Sequence, residues 1–296
     1  MGNRELTEAL NAWYARVARD LPWRAPGTTA WGVLVSEFMA QQTQVDRVIP
    51  HWLEWIERWP TPSALAAAEP GEAVRAWKRL GYPRRALWLH RAAVEIAERH
   101  DDRVPSDIDA LLALTGIGPY TARAVAAFAY GERHPVVDTN TRRVIARLVH
   151  GRAAAGMPAA SDLDDMVALL PDDRAEAAVF NAAAMELGAT VCTARTPRCE
   201  ECPIAAFCEW RGAGYPANAP EKRPRQAAFE GSDRQARGRI MALLRSTTDS
   251  VSRDSALAAT DPKPRRATDP EQAVRALDSL IADGLVVEFE GRLRLP

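Results

Sequence analysis

The sequence predicts a mainly α-helical protein with a small α+β module at its C-terminal end. Through the first 215 residues, apolar side chains recur at helical spacing between prolines and glycines, and the alternation typical of strands is missing. Alternation occurs only in the closing stretch LVVEFEGRLRLP. With 47% apolar side chains, 296 residues suffice for two or three compact domains. The net charge of −1 argues against a uniformly basic nucleic-acid coat.

Local patterns in the helical part predict where individual helices lie. A helix with an apolar stripe through Val35 places Glu37 beside that stripe, where the ordinary interpretation is a solvated carboxylate. Two capping boxes and three helix stops are also predicted, at Ser106 with Asp109, at Ser161 with Asp164, and at Gly131, Gly151 and Gly188.

The only four cysteines of the chain are Cys192, Cys199, Cys202 and Cys208, in CTARTPRCEECPIAAFC. Their spacing lets four thiolates converge on one inorganic centre, and thiolates suit a tetrahedral zinc or a [4Fe-4S] cluster. Zinc folds usually use two C-x2-C knuckles and this segment has one, so the spacing favours the wider cluster. Two disulfides are the remaining interpretation, which we disfavour because we expect no signal peptide.

A helix-hairpin-helix is predicted within LLALTGIGPYTARAVAAFAYG. Gly116 and Gly118 allow positive φ and close backbone approach, and a helix that opens at Pro119 offers free amide groups to a phosphate. An ordinary tight turn between helices fits the same glycines. Downstream, PVVDTNTRRV places Asp138 just before another helix, where aspartate is commonly an N-cap.

Seven segments stand in a familiar order: LPWR, VSEFMAQQTQV, RLGYPRRA, LTGIGPYTA, VVDTNTRRV, MELGATVC and the four-cysteine loop. Together they resemble the helix-hairpin-helix DNA glycosylases with a [4Fe-4S] cluster, which include endonuclease III and the MutY-type adenine glycosylases. The resemblance covers about residues 5–215. It is nearer to the adenine branch, because Glu37 lies in that branch's S-E-x-M-x-Q-Q-T motif. In addition, position 120 holds tyrosine where the lyase branch has a nucleophilic lysine.

The resemblance implies hydrolysis of an N-glycosidic bond by two carboxylates. Glu37 would protonate the purine that leaves, which requires a raised pKa. Asp138 would stay ionised and stabilise the positive charge that develops on the deoxyribose. Tyr120 and Asn140 would support this pair with hydrogen bonds. Without an amine at position 120, we expect a monofunctional hydrolase.

The resemblance also implies a set of DNA-contacting residues. They are Arg19, Leu21, Trp23 and Glu186 for the adenine pocket, Gln42 and Tyr82 for a wedge in the duplex, Thr43 for the opposing purine, and Gly116 and Gly118 for the hairpin. Core packing or a surface ion pair would explain the pocket residues equally well. Two positions depart from the family pattern, since Thr139 replaces the glycine of D-G-N and Pro83 replaces a common second tyrosine. Both leave the substrate preference open.

The predicted domains follow from these motifs and from the composition. A six-helix barrel with the hairpin spans 20–134, the cluster domain takes 1–19 and 135–214, a Pro-rich linker spans 215–233, and a winged-helix-like module spans 234–296. That module is predicted from helices at 234–246, 252–259 and 271–282 and a hairpin that turns at Glu290-Gly291. Eleven basic against ten acidic residues from Asp233 to Pro296 fit a docking module equally well.

Three hypotheses for function remain open. The first is removal of adenine opposite 8-oxoguanine or guanine, although the module is too short for the Nudix-like domain with which adenine glycosylases commonly read 8-oxoguanine. The second is removal of thymine from T/G mismatches or of oxidised pyrimidines. The third is a non-catalytic, cluster-bearing DNA-binding module. In each case we expect a cytoplasmic monomer that binds double-stranded DNA with a mispaired or oxidised base. We expect no binding to a membrane.

The cysteine spacing predicts the metal content. Protein purified without oxygen should contain about four irons and four sulfides per chain and absorb broadly at about 400 nm, as thiolate-bound clusters do. Iron and sulfide analysis with a visible spectrum checks this. Stoichiometric zinc in place of iron would contradict it.

Overall fold

The structure, a computed structural model, describes residues 3–217, 228–260 and 271–296. The chain groups into two units, one of Met1–Glu37 with Val104–Lys222 and one of Phe38–Arg103 with Arg223–Pro296. The predicted division into barrel, cluster domain, linker and module stays a prediction, and residues 218–227 of the predicted linker lie outside the described residues. Within the described ranges, no helix is long and apolar enough to cross a membrane.

Helices dominate the described residues, as the sequence predicts. In chain order they are α1 (Asn3–Val17), α2 (Ala30–Ala40), α3 (Val45–Arg58), α4 (Pro62–Ala66), α5 (Pro70–Ala76), α6 (Arg84–Arg99), α7 (Ile108–Leu112), α8 (Pro119–Tyr130), α9 (Thr139–Leu148), α10 (Ser161–Leu169), α11 (Arg174–Thr190), α12 (Glu209–Gly212), α13 (Asp233–Ser246), α14 (Arg253–Ala258) and α15 (Gln272–Ala282). Short 3-10 turns occur at Pro22–Arg24, Cys199–Glu201 and Ala205–Phe207.

The first unit is built around α11. Helices α1 and α9 both pack on it, and α10 packs on α9. Their apolar faces form one buried core with Ile204 from the cysteine loop; its largest members are Leu10, Trp13, Ile145, Met166 and Phe180. This core fixes the start of α9 and the start of the cysteine loop against the same helix.

The second unit begins with helices that surround a cluster of tryptophans. Helices α4 and α5 pack on α6. Trp55 at the end of α3 meets Trp59 and Trp77 edge to face, with ring centroids 4.7 and 5.7 Å apart. These three rings are almost fully buried, so they form a rigid base for the loops around them.

The C-terminal module has the predicted helices and hairpin. Helix α13 packs on α15, and strands β1 (Val251–Ser252), β2 (Val287–Phe289) and β3 (Arg292–Arg294) form an antiparallel sheet in the order β1-β3-β2. The hairpin turns at Glu290 and Gly291, which have φ of 49° and 71° as a two-residue turn requires. The sequence did not indicate β1, because a strand of two residues leaves no alternation to detect.

This module contacts α5 through hydrogen bonds from arginine side chains to main-chain oxygens. Arg75 donates to the carbonyl oxygens of Leu244, Arg245 and Thr247, at 3.2, 2.9 and 2.6 Å, and so satisfies the C-terminal end of α13. Arg245 donates to the Val74 oxygen at 3.2 Å, and burial lowers the pKa of Arg245 to about 10. Gly71 is buried against the chain end: a Cβ there would lie 2.5 Å from the Pro296 oxygen.

Several predicted helix ends differ in the structure. Helix α7 is capped by Asp107, whose side chain accepts from the Ala110 amide at 2.9 Å, and not by Ser106. Ser161 is already the first residue of α10, so the second predicted capping box is also wrong. Gly131 ends α8 in the left-handed conformation, as predicted. Gly188, a predicted helix stop, instead lies inside α11.

The contact at Gly71 predicts a stability effect. Gly71→Ala should destabilise the protein by about 1–3 kcal/mol, because the added methyl group overpacks a site closed by main-chain atoms. Gly238→Ala is the matched control, since Gly238 also lies in a helix and nothing stands within 4 Å of its added Cβ. Thermal unfolding and limited proteolysis of both variants measure the difference. Equal stability of the two variants would refute the docking role of Gly71.

Candidate active site

Glu37 lies in α2 and is only partly exposed to solvent. Loss of solvation raises the pKa of its carboxyl to about 7, against a hydrogen bond from Tyr120 that lowers it. The charge of Asp138 adds to the rise and that of Arg24 opposes it. This does not fit the alternative interpretation of a solvated carboxylate, because the neutral form of Glu37 is substantially populated at pH 7.

Tyr120 stands in the first turn of α8 and is the hydrogen-bond partner of Glu37. Burial, followed by the charges of Glu37 and Asp138, raises the pKa of Tyr120 well above its ordinary value. The hydroxyl therefore keeps its proton and donates to Glu37. The three side chains belong to one electrostatic group, as the sequence predicts for Glu37, Tyr120 and Asp138.

Asp138 is the N-cap of α9, which agrees with its ordinary interpretation from sequence. Its Oδ1 accepts from the Thr141 amide at 2.7 Å, and its Oδ2 accepts from Asn140 Nδ2 at 3.0 Å. Backbone N–H groups at a helix N-terminus attract negative charge. The carboxylate is thus held in one orientation by two donors from its own helix.

Asn140 is in turn held by the helix behind it. Arg143 donates through Nη2 to Asn140 Oδ1 at 2.9 Å and to the Gly188 oxygen at 2.6 Å, and through Nε to the Cys192 oxygen at 2.7 Å. A Cβ on Gly188 would lie 2.8 Å from the Asn140 Cβ. Glycine at this position of α11 therefore permits the approach of α9 that places Asp138.

Glu186 of α11 is fully buried and accepts from two arginines. Arg19 Nε lies 2.5 Å from Oε1, and Arg24 Nη1 lies 2.9 Å from Oε2. Burial acts to raise the pKa of Glu186, but the hydrogen bonds and charges of Arg19 and Arg24 outweigh it and hold the pKa below its usual value. Leu21 is buried and Trp23 partly buried in the same segment. The structure therefore brings the four predicted pocket residues into one unit, with Glu186 engaged by arginines.

The hairpin glycines differ from each other. Gly116 has φ of +80°, a conformation that favours glycine, whereas Gly118 is extended and precedes α8 without a side-chain cap. Both glycines are exposed, and Ile117 between them is buried. The turn thus presents backbone at the surface, as expected for a helix-hairpin-helix.

Gln42, Thr43 and Tyr82 form a separate group in the second unit. Gln42 and Tyr82 are exposed, and both have left-handed backbones, with φ of 54° and 45°. The Thr43 hydroxyl donates to the Leu80 oxygen at 3.2 Å and so joins the two loops.

The four cysteines surround one cavity, which Arg147 and Trp210 also line. All four thiols are free, which removes the disulfide interpretation. Burial raises the pKa of Cys202 to about 11, and the neighbouring cysteines add to the rise, so four thiolates here require a cationic centre. Four thiols around one cavity are a donor set that suits a [4Fe-4S] cluster, so the residues present fit that group.

Comparison with known proteins identifies the family. Residues 35–157 match the HhH-GPD superfamily base excision DNA repair proteins, and residues 192–208 match the iron-sulfur binding domain of endonuclease III. Over 97% of its length the chain is 56% identical to the adenine DNA glycosylase of Mycolicibacterium smegmatis, covering 94% of that protein. The chain belongs to the adenine DNA glycosylase family. The adenine DNA glycosylase of Mycobacterium tuberculosis is 53% identical across the whole chain, and 95% of that protein is covered.

A solved structure agrees with the helical fold of this adenine DNA glycosylase family member. A thermostable thymine-DNA glycosylase matches with a TM-score of 0.64 and 24% identity, over 71% of this chain and 97% of that one. That structure agrees with the predicted fold class, and the family and sequence matches confirm the predicted resemblance and the iron-sulfur segment.

The sequence does not assign a role in this site to three residues that organise it. Arg24 lies in the LPWR segment, whose pattern gives it no specific contact. Arg143 stands three residues after Asn140 on α9, a spacing that puts both on one helix face and could have indicated their contact. Gly188 interrupts an otherwise continuous helical pattern, which signals close packing as well as a helix end.

Proposed function

We propose that this protein is a monofunctional DNA glycosylase that hydrolyses the N-glycosidic bond of adenine paired with 8-oxoguanine or guanine. The main support for the proposal is that two electrostatically coupled carboxylates, Glu37 and Asp138, lie in different environments. Glu37 is driven toward its neutral form by burial, and Asp138 accepts two hydrogen bonds at a helix N-terminus. Bond cleavage with an acid and an anion needs this division of work.

Glu37 serves as the general acid. With a pKa of about 7 it carries a proton in a large fraction of molecules at neutral pH and can deliver it to the purine that leaves. The Tyr120 hydroxyl fixes the direction of the carboxyl group. Protonation makes the base a better leaving group, which lowers the barrier to bond cleavage.

Asp138 stabilises the sugar as positive charge develops on it. Its two donors, the Thr141 amide and Asn140 Nδ2, hold the carboxylate in place. Asn140 keeps one carboxylate oxygen oriented, and Arg143 keeps Asn140 in place. Water then completes hydrolysis at the same carbon.

The positions of the lysines in the sequence support a monofunctional reaction. A lyase step begins with an amine that attacks the sugar. The chain has only three lysines, Lys78, Lys222 and Lys263, and the stretch between the first two includes both Tyr120 and Asp138. The reaction therefore stops at the abasic site.

Double-stranded DNA in the cytoplasm is the proposed partner. Gln42 and Tyr82 are exposed side chains on loops that suit insertion into a base stack, and extrusion of a base needs such replacements. Arg19 and Arg24, fixed by Glu186, supply donors for the extruded adenine.

A [4Fe-4S] cluster would be held by Cys192, Cys199, Cys202 and Cys208. It would supply a structural centre for the cysteine loop, and Arg143 ties that loop to α9.

Removing either carboxylate should abolish excision while binding survives. Asp138→Asn and Glu37→Gln should each slow single-turnover excision of adenine opposite 8-oxoguanine by more than ~10²-fold, about 2.7 kcal/mol of barrier. Asp173→Asn is the matched control, because Asp173 caps α11 by the same contact, to the Glu176 amide at 2.9 Å. Assays on A:8-oxoG, A:G, T:G and oxidised-pyrimidine duplexes, with a separate binding measurement, test the role and the substrate together.

Three results would contradict the proposal. Excision within about threefold of the parent in both carboxylate variants would reduce Asp138 to a helix cap. Equal losses for Asp138→Asn and Asp173→Asn would indicate a general effect of capping. Faster release of thymine or an oxidised pyrimidine than of adenine would overturn the substrate.

The raised pKa of Glu37 predicts a pH dependence. Only the protonated acid works, so the single-turnover rate should fall as pH rises through about 7. Tyr120→Phe removes the hydrogen bond that lowers the pKa of Glu37, so the single-turnover rate of this variant should begin to fall at a higher pH than that of the parent. Rates between pH 5.5 and about 9 for parent and variant measure both midpoints. An unchanged midpoint in Tyr120→Phe would show that Glu37 does not set the profile.

A further inference from the structure

Two loops of the second unit carry residues in a costly backbone conformation. Gln42 follows α2, and Tyr82 precedes α6, and each has φ near +50° although neither is glycine. A left-handed backbone at such residues costs on the order of 1 kcal/mol and persists only where the surroundings impose it. Both side chains are exposed, so burial of the side chains does not supply that constraint.

Arg85 of α6 supplies it to both loops at once. Arg85 is almost fully buried, and its guanidinium donates to the oxygen of Phe38 near the end of α2, at 2.8 Å, and to that of Gln41 on the first loop, at 2.5 Å. It also donates to Thr43 Oγ1 at 3.4 Å and to the Gly81 oxygen at 3.2 Å, the latter beside Tyr82. All four acceptors are uncharged, so the contacts define loop geometry without forming a salt bridge.

Aromatic groups and a second arginine complete this arrangement. The Arg85 guanidinium lies 5.4 Å from the ring centroids of both Tyr82 and the buried Trp77. Trp77 Nε1 donates to the same Gly81 oxygen at 2.9 Å. Arg47, in the first turn of the helix that follows the first loop, donates to the Arg79 oxygen at 2.6 Å and so ties that helix to the segment before Tyr82.

We propose that Arg85 is the positioning residue that holds Gln42 and Tyr82 as one preformed wedge for insertion into the duplex. This inference rests on the proposed function, because it assigns these side chains to extrusion of the target base. A planar fork with several donors can bind carbonyls of two loops at fixed angles, whereas a lysine ammonium cannot. Preformed geometry removes the ordering cost that separate loops would incur when the base leaves the stack.

The test is a double-mutant cycle. Arg85→Lys keeps the charge and loses the fork, so it should slow single-turnover excision of adenine opposite 8-oxoguanine by about tenfold or more. It should also reduce the fluorescence rise of 2-aminopurine placed at the target position on a 2′-fluoro sugar, which resists cleavage. In a Gln42→Ala, Tyr82→Ala background, the same Arg85→Lys change should alter the rate by less than about twofold.

Arg91→Lys is the matched control, because Arg91 lies on the same helix with a side chain that is 75% exposed. It should behave as the parent in both assays. An Arg85→Lys rate within about twofold of the parent would overturn the inference, and so would an equal loss with and without the wedge side chains. The second result would mean that Arg85 only supports the fold.

If Arg85→Lys does not fold, Arg47→Gln perturbs the same pair of loops from the surface, since Arg47 is exposed and ties the start of α3, just after the first loop, to Arg79. Its effect on 2-aminopurine fluorescence should likewise vanish without the wedge side chains, and persistence there would refute the inference. A parent that extrudes 2-aminopurine but excises no adenine would refute the proposed function alone. A parent that gives no fluorescence response would overturn both.

Discussion

The close approach of α9 to α11 is the constraint on which the first unit depends. Gly188 has no side chain, and Asn140 occupies the space that a Cβ would fill. This approach lets Arg143 bind Asn140, Gly188 and Cys192 together, so one guanidinium connects the hydrogen-bond partner of Asp138 to the start of the cysteine loop. The cysteine loop and Asp138 are therefore positioned by the same helix, and displacement of one strains the other.

Two carboxylates of this site, Glu186 and Glu37, have pKa values shifted in opposite directions. Glu186 is fully buried yet held ionised by two arginines, whereas Glu37 is desolvated with a tyrosine hydroxyl as its partner and moves toward neutrality. The difference lies in the partner more than in the depth of burial, because a guanidinium compensates lost solvation and a neutral hydroxyl compensates only part of it.

The sequence predicted the helical fold, the C-terminal hairpin and the grouping of Glu37, Tyr120 and Asp138, because these depend on periodicity, turn chemistry and motifs. It did not predict the contacts between distant residues that no motif connects. A glycine in a helical pattern, such as Gly188, is compatible both with a helix end and with the close approach of another helix. Only the position of the neighbouring helix in the fold distinguishes the two. Likewise, Arg85 and Arg75 look like ordinary surface arginines until the carbonyl groups they bind are brought beside them by the fold.

The docking of the C-terminal module makes the second unit cooperative. Arg75 and Arg245 lie in the contact between α5 and α13, where each binds main-chain oxygens of the other element. Separation would break these hydrogen bonds together and expose Gly71 and Leu295, which are buried in the folded unit. The module and the helices beneath it thus share one unfolding transition, and a local opening of either is felt as a loss of stability in both.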